Sequence, residues 1–336
     1  MEAIRHNAAP SGALVRDALV WDNHACLPLR PEDHAFFSRL EAVAAAGVDV
    51  ISVNVGFGPI PLVQHQAMIA GLTNWIATAG SYCRVVKTVA DIKAARAEGK
   101  LAVFFDVEGM APLDEGGEAL IEPWRAAGVG WMLIAYNAAN RAGSGCTEEV
   151  DSGLTDHGKR ILAEMRRVGM IACCSHTGHR TAMEVMEHAG APVIFSHSNA
   201  AAVFPHYRNI SDDLIRACAQ TGGVVGINGI GSFLDDGPAR IARLVDHIEH
   251  VASLVGTDHV GLGLDYVFDR QELVDYLAAM PDIFPDAASM EHATSMIGPD
   301  RVADIAGELL DRGADEASVR KILGENWLRV AGEVWG

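Results

Sequence analysis

Potential metal ligands follow several apolar segments of this 336-residue sequence. The first such segment is LVWDNHACLPL, residues 19–29, in which an apolar stretch leads into His24 and Cys26. Imidazole nitrogen, thiolate sulfur and carboxylate oxygen are the donors that bind zinc in proteins. One pair of ligands does not make a site, so the fold must bring further ligands to the same place.

Short apolar segments of this form recur along the chain, each ending in polar residues and followed by a longer amphipathic segment. They show little polar alternation, which is typical of parallel strands buried on both faces. In chain order the eight segments are ALVWDNHA, VDVISVNVG, LAVFFDVEG, VGWMLIAYN, GMIACCSH, PVIFSHS, GGVVGING and HVGLGLD.

The segments between these strands have apolar residues at helical spacing, with capping residues at their ends. Eight strands alternating with helices predict an α/β fold, a single (β/α)8 TIM-like barrel domain over residues 1–336. A doubly wound open sheet is the alternative, but no G-x-G-x-x-G follows the first strand. The clearest helical segments are residues 33–47, 155–169, 211–223 and 238–256.

Chemistry in such a barrel lies at the C-terminal ends of the strands, so polar side chains there should meet at one mouth. Each of them alone has an ordinary structural explanation, but His, Glu, Cys and Asp together at one end predict a metal site. We expect most of the remaining histidines, including His65 and His247, at the surface. The converging side chains are His24, Cys26, Asn54, Glu108, Tyr136, Asn137, His176, His197, Asn228 and Asp265.

The motifs around these residues resemble those of the membrane dipeptidase (renal dipeptidase) family, the M19 zinc peptidases. DNHAC stands where that family has Asp-Gly-His-Asn-Asp, and the resemblance extends from about residue 16 to 334. The other matching motifs are DVEG with Glu108, CSHTG with His176, IFSHSNA with His197, HYRNISDD with Arg208, DHVGLGLDY with Asp265, and the C-terminal ILGENWLRV.

This resemblance implies a metallo-dependent hydrolase with two zinc ions bridged by Glu108. His176 and His197 would bind one ion, and His24 with the residue at position 26 would bind the other. The family has aspartate there and this chain has Cys26. A thiolate is a good zinc ligand, so two ions are expected if Cys26 binds and one ion if it does not.

The resemblance also implies cleavage of a dipeptide, or a similar amide with a free carboxylate, by a metal-activated water. Asp265 would relay the proton and Arg208 would bind the substrate carboxylate. Tyr136 stands where the family has histidine and would hydrogen-bond the oxyanion, with Asn137 beside it in substrate binding. Two alternatives stay open: a metal-dependent hydrolase of an N-acyl amino acid or lactone, and a catalytically degenerate binding protein.

Composition narrows the possible partners. The formal net charge is −18, and such a surface repels phosphate backbones, which argues against nucleic-acid binding. We find no signal-peptide pattern and no apolar run of about 20 residues, so we expect a cytoplasmic protein without a membrane span. The resemblance implies a homodimer, to which the Trp-rich C terminus could contribute surface.

Overall fold

The computed structural model describes residues 10–235, 237–285 and 292–336. The predicted domain limits, residues 1–336, include residues outside these ranges and stay a prediction. The described strands are β1 (Trp21–Cys26), β2 (Val50–Phe57), β3 (Cys83–Val85), β4 (Leu101–Glu108), β5 (Val129–Leu133), β6 (Ile171–Cys173), β7 (Val193–Ile194), β8 (Val225–Ile227), β9 (Val260–Leu262) and β10 (Tyr266–Val267).

Helices separate these strands along the chain. Short 3₁₀ segments cover Glu118–Leu120, Thr257–His259 and Pro299–Arg301, and a π-helical segment covers Lys321–Glu325. The described α-helices are α1 (Pro10–Asp17), α2 (His34–Phe37), α3 (Leu40–Ala45), α4 (Leu62–Thr78), α5 (Val89–Ala97), α6 (Leu113–Gly116), α7 (Ile121–Ala127), α8 (Asp156–Val168), α9 (His179–His188), α10 (Asp212–Gln220), α11 (Gly231–Leu234), α12 (Ile241–Val255), α13 (Arg270–Ala279), α14 (Val302–Asp311), α15 (Glu316–Arg320) and α16 (Asn326–Val334).

The sheet is parallel and curls into a barrel. Its strands follow the order β7-β6-β5-β4-β2-β1-β9-β8, and a parallel bridge between Phe195 and Val225 joins the two ends. All eight predicted strands are present, which confirms the (β/α)8 prediction. The two strands outside this circle, β3 and β10, pair with β4 and β1 and were not predicted.

The predicted helices are also present, with one difference. In α8 the Thr155 side chain caps the first turn by accepting from the Gly158 amide, and Gly169 ends the helix in a left-handed conformation with φ 74°. The segment 33–47 was predicted as one helix but forms two short ones, α2 and α3. They are separated at Ser38 and Arg39, where the Ser38 hydroxyl donates to the Ala35 carbonyl.

Aromatic residues fill the N-terminal end of the barrel. The Trp335 ring lies 5.0 Å from that of Phe104 and 5.9 Å from that of Trp21, and Trp327 donates from Nε1 to the Leu262 carbonyl. Trp327 and Trp335 are both buried inside the chain. The expectation that the C-terminal tryptophans supply interface surface is therefore wrong for these two residues, because they close the barrel.

Two histidines outside the predicted site, His65 and His247, are buried, in contrast to the surface positions expected for most of that group. His247 on α12 accepts from the Ala200 amide at 3.1 Å and faces the Leu234 carbonyl at 3.0 Å, so both ring nitrogens are used. Among the described residues, no helix has both the length and the apolar character that a membrane span requires.

Candidate active site

The predicted ligands meet at the C-terminal mouth of the barrel. Atom Oε1 of Glu108, the last residue of β4, lies 3.5 Å from Nε2 of His24, 3.4 Å from Nε2 of His176 and 3.3 Å from Nε2 of His197. His24 comes from β1, and the other two histidines follow β6 and β7. All four side chains are buried, so distant segments of the chain form one enclosed cluster.

The hydrogen-bond partners of the three Nδ1 atoms leave the Nε2 atoms facing the cluster. Nδ1 of His24 lies 3.3 Å from Asp106, and Nδ1 of His176 lies 2.7 Å from Oδ1 of Asn137. Nδ1 of His197 lies 2.9 Å from the Ser196 hydroxyl. Burial alone would lower the pKa of His24, but the anionic groups around it hold that pKa well above the usual value, so a bound cation would take the place of the proton on its Nε2.

A divalent cation at the centre of the cluster could take the place of the protons that these closely spaced nitrogen and oxygen atoms otherwise share. Nε2 of His176 and Nε2 of His197 are only 2.8 Å apart, and Oε1 of Glu108 is buried without a hydrogen-bond partner among the described residues. Burial lowers the pKa of both histidines well below the usual value and raises the pKa of Glu108 to about 8. The donor set and its geometry fit a divalent metal ion.

A second group of potential ligands shares His24. Sγ of Cys26 lies 3.4 Å from Nε2 of His24 and 3.8 Å from Oδ1 of Asp265, and the same Oδ1 lies 3.4 Å from that Nε2. These three side chains could hold a metal ion together. Burial raises the pKa of the Cys26 thiol to about 12, so a bound cation would be needed to hold it as a thiolate near pH 7.

Asp265 is held in place from two sides. Its Oδ2 accepts from Nδ2 of Asn228 at 2.8 Å, and its backbone amide donates to the His24 carbonyl at 3.0 Å. Burial alone would raise its pKa, but the nearby His197 and His24 hold it well below the usual range. Asp265 is therefore an ionised carboxylate beside the cluster.

Backbone strain also concentrates at this mouth. The described residues other than glycine with positive φ are Asn137 at 54°, His176 at 61° and Asp265 at 56°. Such conformations cost on the order of 1–3 kcal/mol each and persist where the surroundings over-determine them. In all three residues the left-handed turn follows a barrel strand and aims the side chain into the site.

Asn137 holds His176 in its position. Its Oδ1 accepts from His176 and from Sγ of Cys146, and its Nδ2 donates to the Ile283 carbonyl at 3.0 Å. The Cys146 amide also donates to the His176 carbonyl at 2.8 Å. Because these bonds use both amide atoms of Asn137, the geometry favours positioning of His176, and the predicted role in substrate binding stays a prediction.

Asp106 is a further site residue that the sequence reasoning missed. It is buried, and besides His24 it accepts from the Ser52 hydroxyl at 2.6 Å and from Nδ2 of Asn54 at 3.0 Å. The same Nδ2 lies 3.2 Å from Oε2 of Glu108, so Asn54 links the two carboxylates. The signal was present in the sequence, because residues two apart on a strand face the same side.

Arg208 lies in the same cavity with unused hydrogen-bonding capacity. It is buried, its guanidinium lies 5.5 Å from the Phe233 ring, and its Nε and Nη2 have no hydrogen-bond partner among the described residues. Arg208 is therefore not a surface arginine paired with the acids of α10. Those acids have other partners, because Asp212 binds His250 and Asp213 binds His179.

Tyr136 forms part of the cavity beside the cluster. Its ring stacks on His176 at 4.2 Å and packs 5.0 Å from Phe57. Burial raises the pKa of its phenol well above the usual value, so it is a neutral hydrogen-bond donor. The cavity is lined by Cys26, Glu108, His176, Arg208 and Asp265 as well.

Comparison with known proteins gives a family match. The model of the membrane dipeptidase family, peptidase family M19, matches residues 63–282. An uncharacterised protein in the pqqA 5' region of Klebsiella pneumoniae is 31% identical over 82% of this chain and 97% of its own length. The dipeptidase tcpJ of Claviceps purpurea (strain 20.1) is 31% identical over 70% of this chain. The match covers about half (52%) of that protein's own length.

The fold has solved counterparts. The crystal structure of an amidohydrolase from Pseudomonas aeruginosa matches with a TM-score of 0.86 and 27% identity, covering 97% of this chain and 99% of that one. The similarity therefore extends over nearly the whole chain.

Proposed function

Because the chain belongs to the membrane dipeptidase family, peptidase family M19, we propose that it hydrolyses an amide whose leaving amine carries a free carboxylate, such as a dipeptide. We propose zinc as the metal, with two ions if Cys26 binds one of them. A cytoplasmic location and a homodimer are parts of the same proposal that rest on the sequence and the family resemblance.

The observation that carries this proposal is the convergence of three imidazole Nε2 atoms on the unpartnered oxygen of Glu108. His24, His176 and His197 would hold the metal together with that carboxylate. When bound, a divalent ion supplies Lewis acidity toward the amide carbonyl and toward a water molecule. This enclosed arrangement of donors disfavours the alternative of a degenerate binding protein.

The surrounding side chains fit the remaining tasks of amide hydrolysis. The ionised Asp265 would accept the proton of the attacking water and deliver it to the leaving nitrogen. Tyr136, stacked on His176, would donate a hydrogen bond to the developing oxyanion. The free guanidinium atoms of Arg208 would bind the substrate carboxylate through two parallel hydrogen bonds.

Relatives support the dipeptide as the first substrate to test. The Claviceps purpurea relative is named a dipeptidase, and this chain spans about half of it (52%). Side-chain and stereochemical preference depends on the cavity walls rather than on the metal cluster. The substrate panel should therefore include both L- and D-residues at the C-terminal position.

The test combines metal analysis of the purified protein with hydrolysis of that panel. We expect bound zinc, turnover that a chelator abolishes and zinc restores, and loss of both metal and turnover in Glu108→Gln. Glu148→Gln is the matched control, because Glu148 lies outside the cluster and accepts from the Ala139 amide. A protein that binds no metal, or a Glu108→Gln variant that keeps full metal content and turnover, would overturn the proposal.

A further inference from the structure

The two sides of the cavity differ in chemistry, and the strand order shows that they face each other. In the circle of eight strands, β7 lies opposite β2. Arg208 stands on the loop after β7, and Phe57 is the last residue of β2. Both line the cavity, as do several residues of the ligand cluster. A substrate anchored by its carboxylate at Arg208 could therefore extend its other end past the ligand cluster toward β2.

The wall on that far side is hydrocarbon. Leu27 and Leu29 follow β1, and Phe57, Leu273 and Tyr276 complete the surface. The rings of Phe57 and Tyr276 meet edge to face at 5.2 Å, and Phe57 also contacts Tyr136. Such a wall stabilises an apolar substrate group by removing it from water.

The carboxylate on this wall among the described residues already has a cationic partner. Glu272 is the carboxylate of α13 that lines the cavity, and its Oε1 already accepts from Nη1 of Arg30 at 3.0 Å. Glu108 and Asp265 face the histidine cluster. Position 26 offers a thiol where a carboxylate would add negative charge. An α-ammonium group here would lose its hydration and would have to share Glu272 with Arg30.

We propose that the preferred substrate is an N-acyl amino acid with an apolar, uncharged acyl group, rather than a dipeptide with a free ammonium group. This inference rests on the proposed function and specifies the substrate class of the same site. Hydrolysis breaks the amide C–N bond and joins the water oxygen to the acyl carbon. The proton passes to the leaving nitrogen, so the products are a carboxylic acid and an amino acid.

A pair of matched compounds tests the inference directly. Phenylalanyl-alanine and 3-phenylpropanoyl-alanine differ only in the ammonium group, and each is prepared with L- and with D-alanine. With the zinc-loaded protein we expect kcat/KM to be at least about tenfold higher for the 3-phenylpropanoyl compound, because an unpaired buried cation is costly. An equal or higher value for the dipeptide would overturn the inference.

Two substitutions in α13 test whether the apolar wall causes this substrate preference. Leu273→Asp adds a carboxylate at a half-buried position, and we expect it to shift the ratio toward the dipeptide. Glu272→Gln is the matched control, and we expect the ratio between the two compounds to stay within about twofold, since Glu272 is held by Arg30. A large loss of dipeptide turnover in Glu272→Gln would show that Glu272 binds the ammonium group and would contradict the inference.

Direct binding separates this inference from the proposed function. Calorimetry with both compounds and the zinc-loaded protein measures affinity whether or not they are hydrolysed. Tighter binding of the 3-phenylpropanoyl compound without turnover would support the apolar wall while overturning the proposed hydrolysis. Equal or tighter binding of the dipeptide would overturn the inference while leaving amide hydrolysis intact.

Discussion

Cys26 places a sulfur atom within 3.4 Å of Nε2 of His24, at a position where a ligand of the second metal ion is expected. A thiolate ligand gives bound cobalt(II) an intense charge-transfer absorption in the near ultraviolet, which oxygen and nitrogen ligands do not give. We therefore expect this band in the cobalt-loaded protein and its loss in Cys26→Asp and Cys26→Ser. Absorption spectroscopy during a cobalt titration measures both the band and the number of ions bound.

Cys146 supplies the matched control for this experiment. It is half-buried like Cys26, but its Sγ donates to Oδ1 of Asn137, and it belongs to neither group of potential metal ligands. Cys146→Ser should therefore keep the band. A wild-type protein without the band, or a band that persists in Cys26→Ser, would show that the thiol is not a ligand and that the site holds its metal without sulfur.

At the level of single elements, the alternation of β4 explains how one strand supplies both a ligand and its support. Asp106 and Glu108 are two residues apart and face the same side. We expect Asp106→Asn to weaken zinc binding by about 10–100-fold, because a neutral amide no longer fixes the ring and basicity of His24. Competition with a chromophoric chelator measures this affinity.

Asp49→Asn is the control for the substitution in β4. Asp49 precedes β2 at the other end of the barrel, where its carboxylate accepts from the Val20 amide at 2.9 Å. Asp49→Asn should change the stability of the fold without changing zinc affinity. Equal zinc affinities in Asp106→Asn and the wild type would mean that the contact with His24, 3.3 Å long, does not tune the site.

The barrel strands and most ligands could be predicted because both follow from short-range patterns. An apolar run that ends in His, Glu or Asp indicates a buried strand with a functional end, as in LAVFFDVEG. Strands such as β3 and β10, with three and two residues, are too short for such a pattern. Between α2 and α3 the backbone hydrogen bonds of Arg39 and Glu41 span three residues instead of four, a local change that helical periodicity does not reveal.

The residues of the cavity walls could not be predicted from the sequence, for a different reason. The cavity is lined by Leu29, Phe57 and Tyr276, which lie far apart in the chain. Each is a residue type that is also common in an ordinary hydrophobic core. The left-handed conformation of His176 and Asp265 depends on the surrounding contacts rather than on residue type. Motifs therefore indicate the reaction class, whereas substrate preference requires the three-dimensional arrangement.

For the molecule as a whole, His247 connects parts of the chain that support the site. From α12 it binds Ala200, three residues beyond His197, and Leu234 at the end of α11. Burial lowers its pKa to about 4, whereas the unfolded chain has the usual value of about 6.5. The unfolded state therefore binds more protons between these values, so this stabilisation is complete above about pH 6.5 and is lost as the pH falls toward 4.

His247→Gln removes this titration and tests the whole-molecule role. At pH 7 the variant should be less stable, because it disturbs two buried hydrogen bonds. The difference in unfolding free energy should shrink by about 2–3 kcal/mol between pH 7 and pH 4.5, as the wild type alone loses the His247 contribution. Urea unfolding of chelator-treated protein measures this difference in unfolding free energy. The control is His188→Gln, at an exposed position on α9.

A difference that stays constant with pH would show that His247 is not held neutral in the fold, because a histidine that titrates equally in both states leaves no trace in the pH dependence of stability.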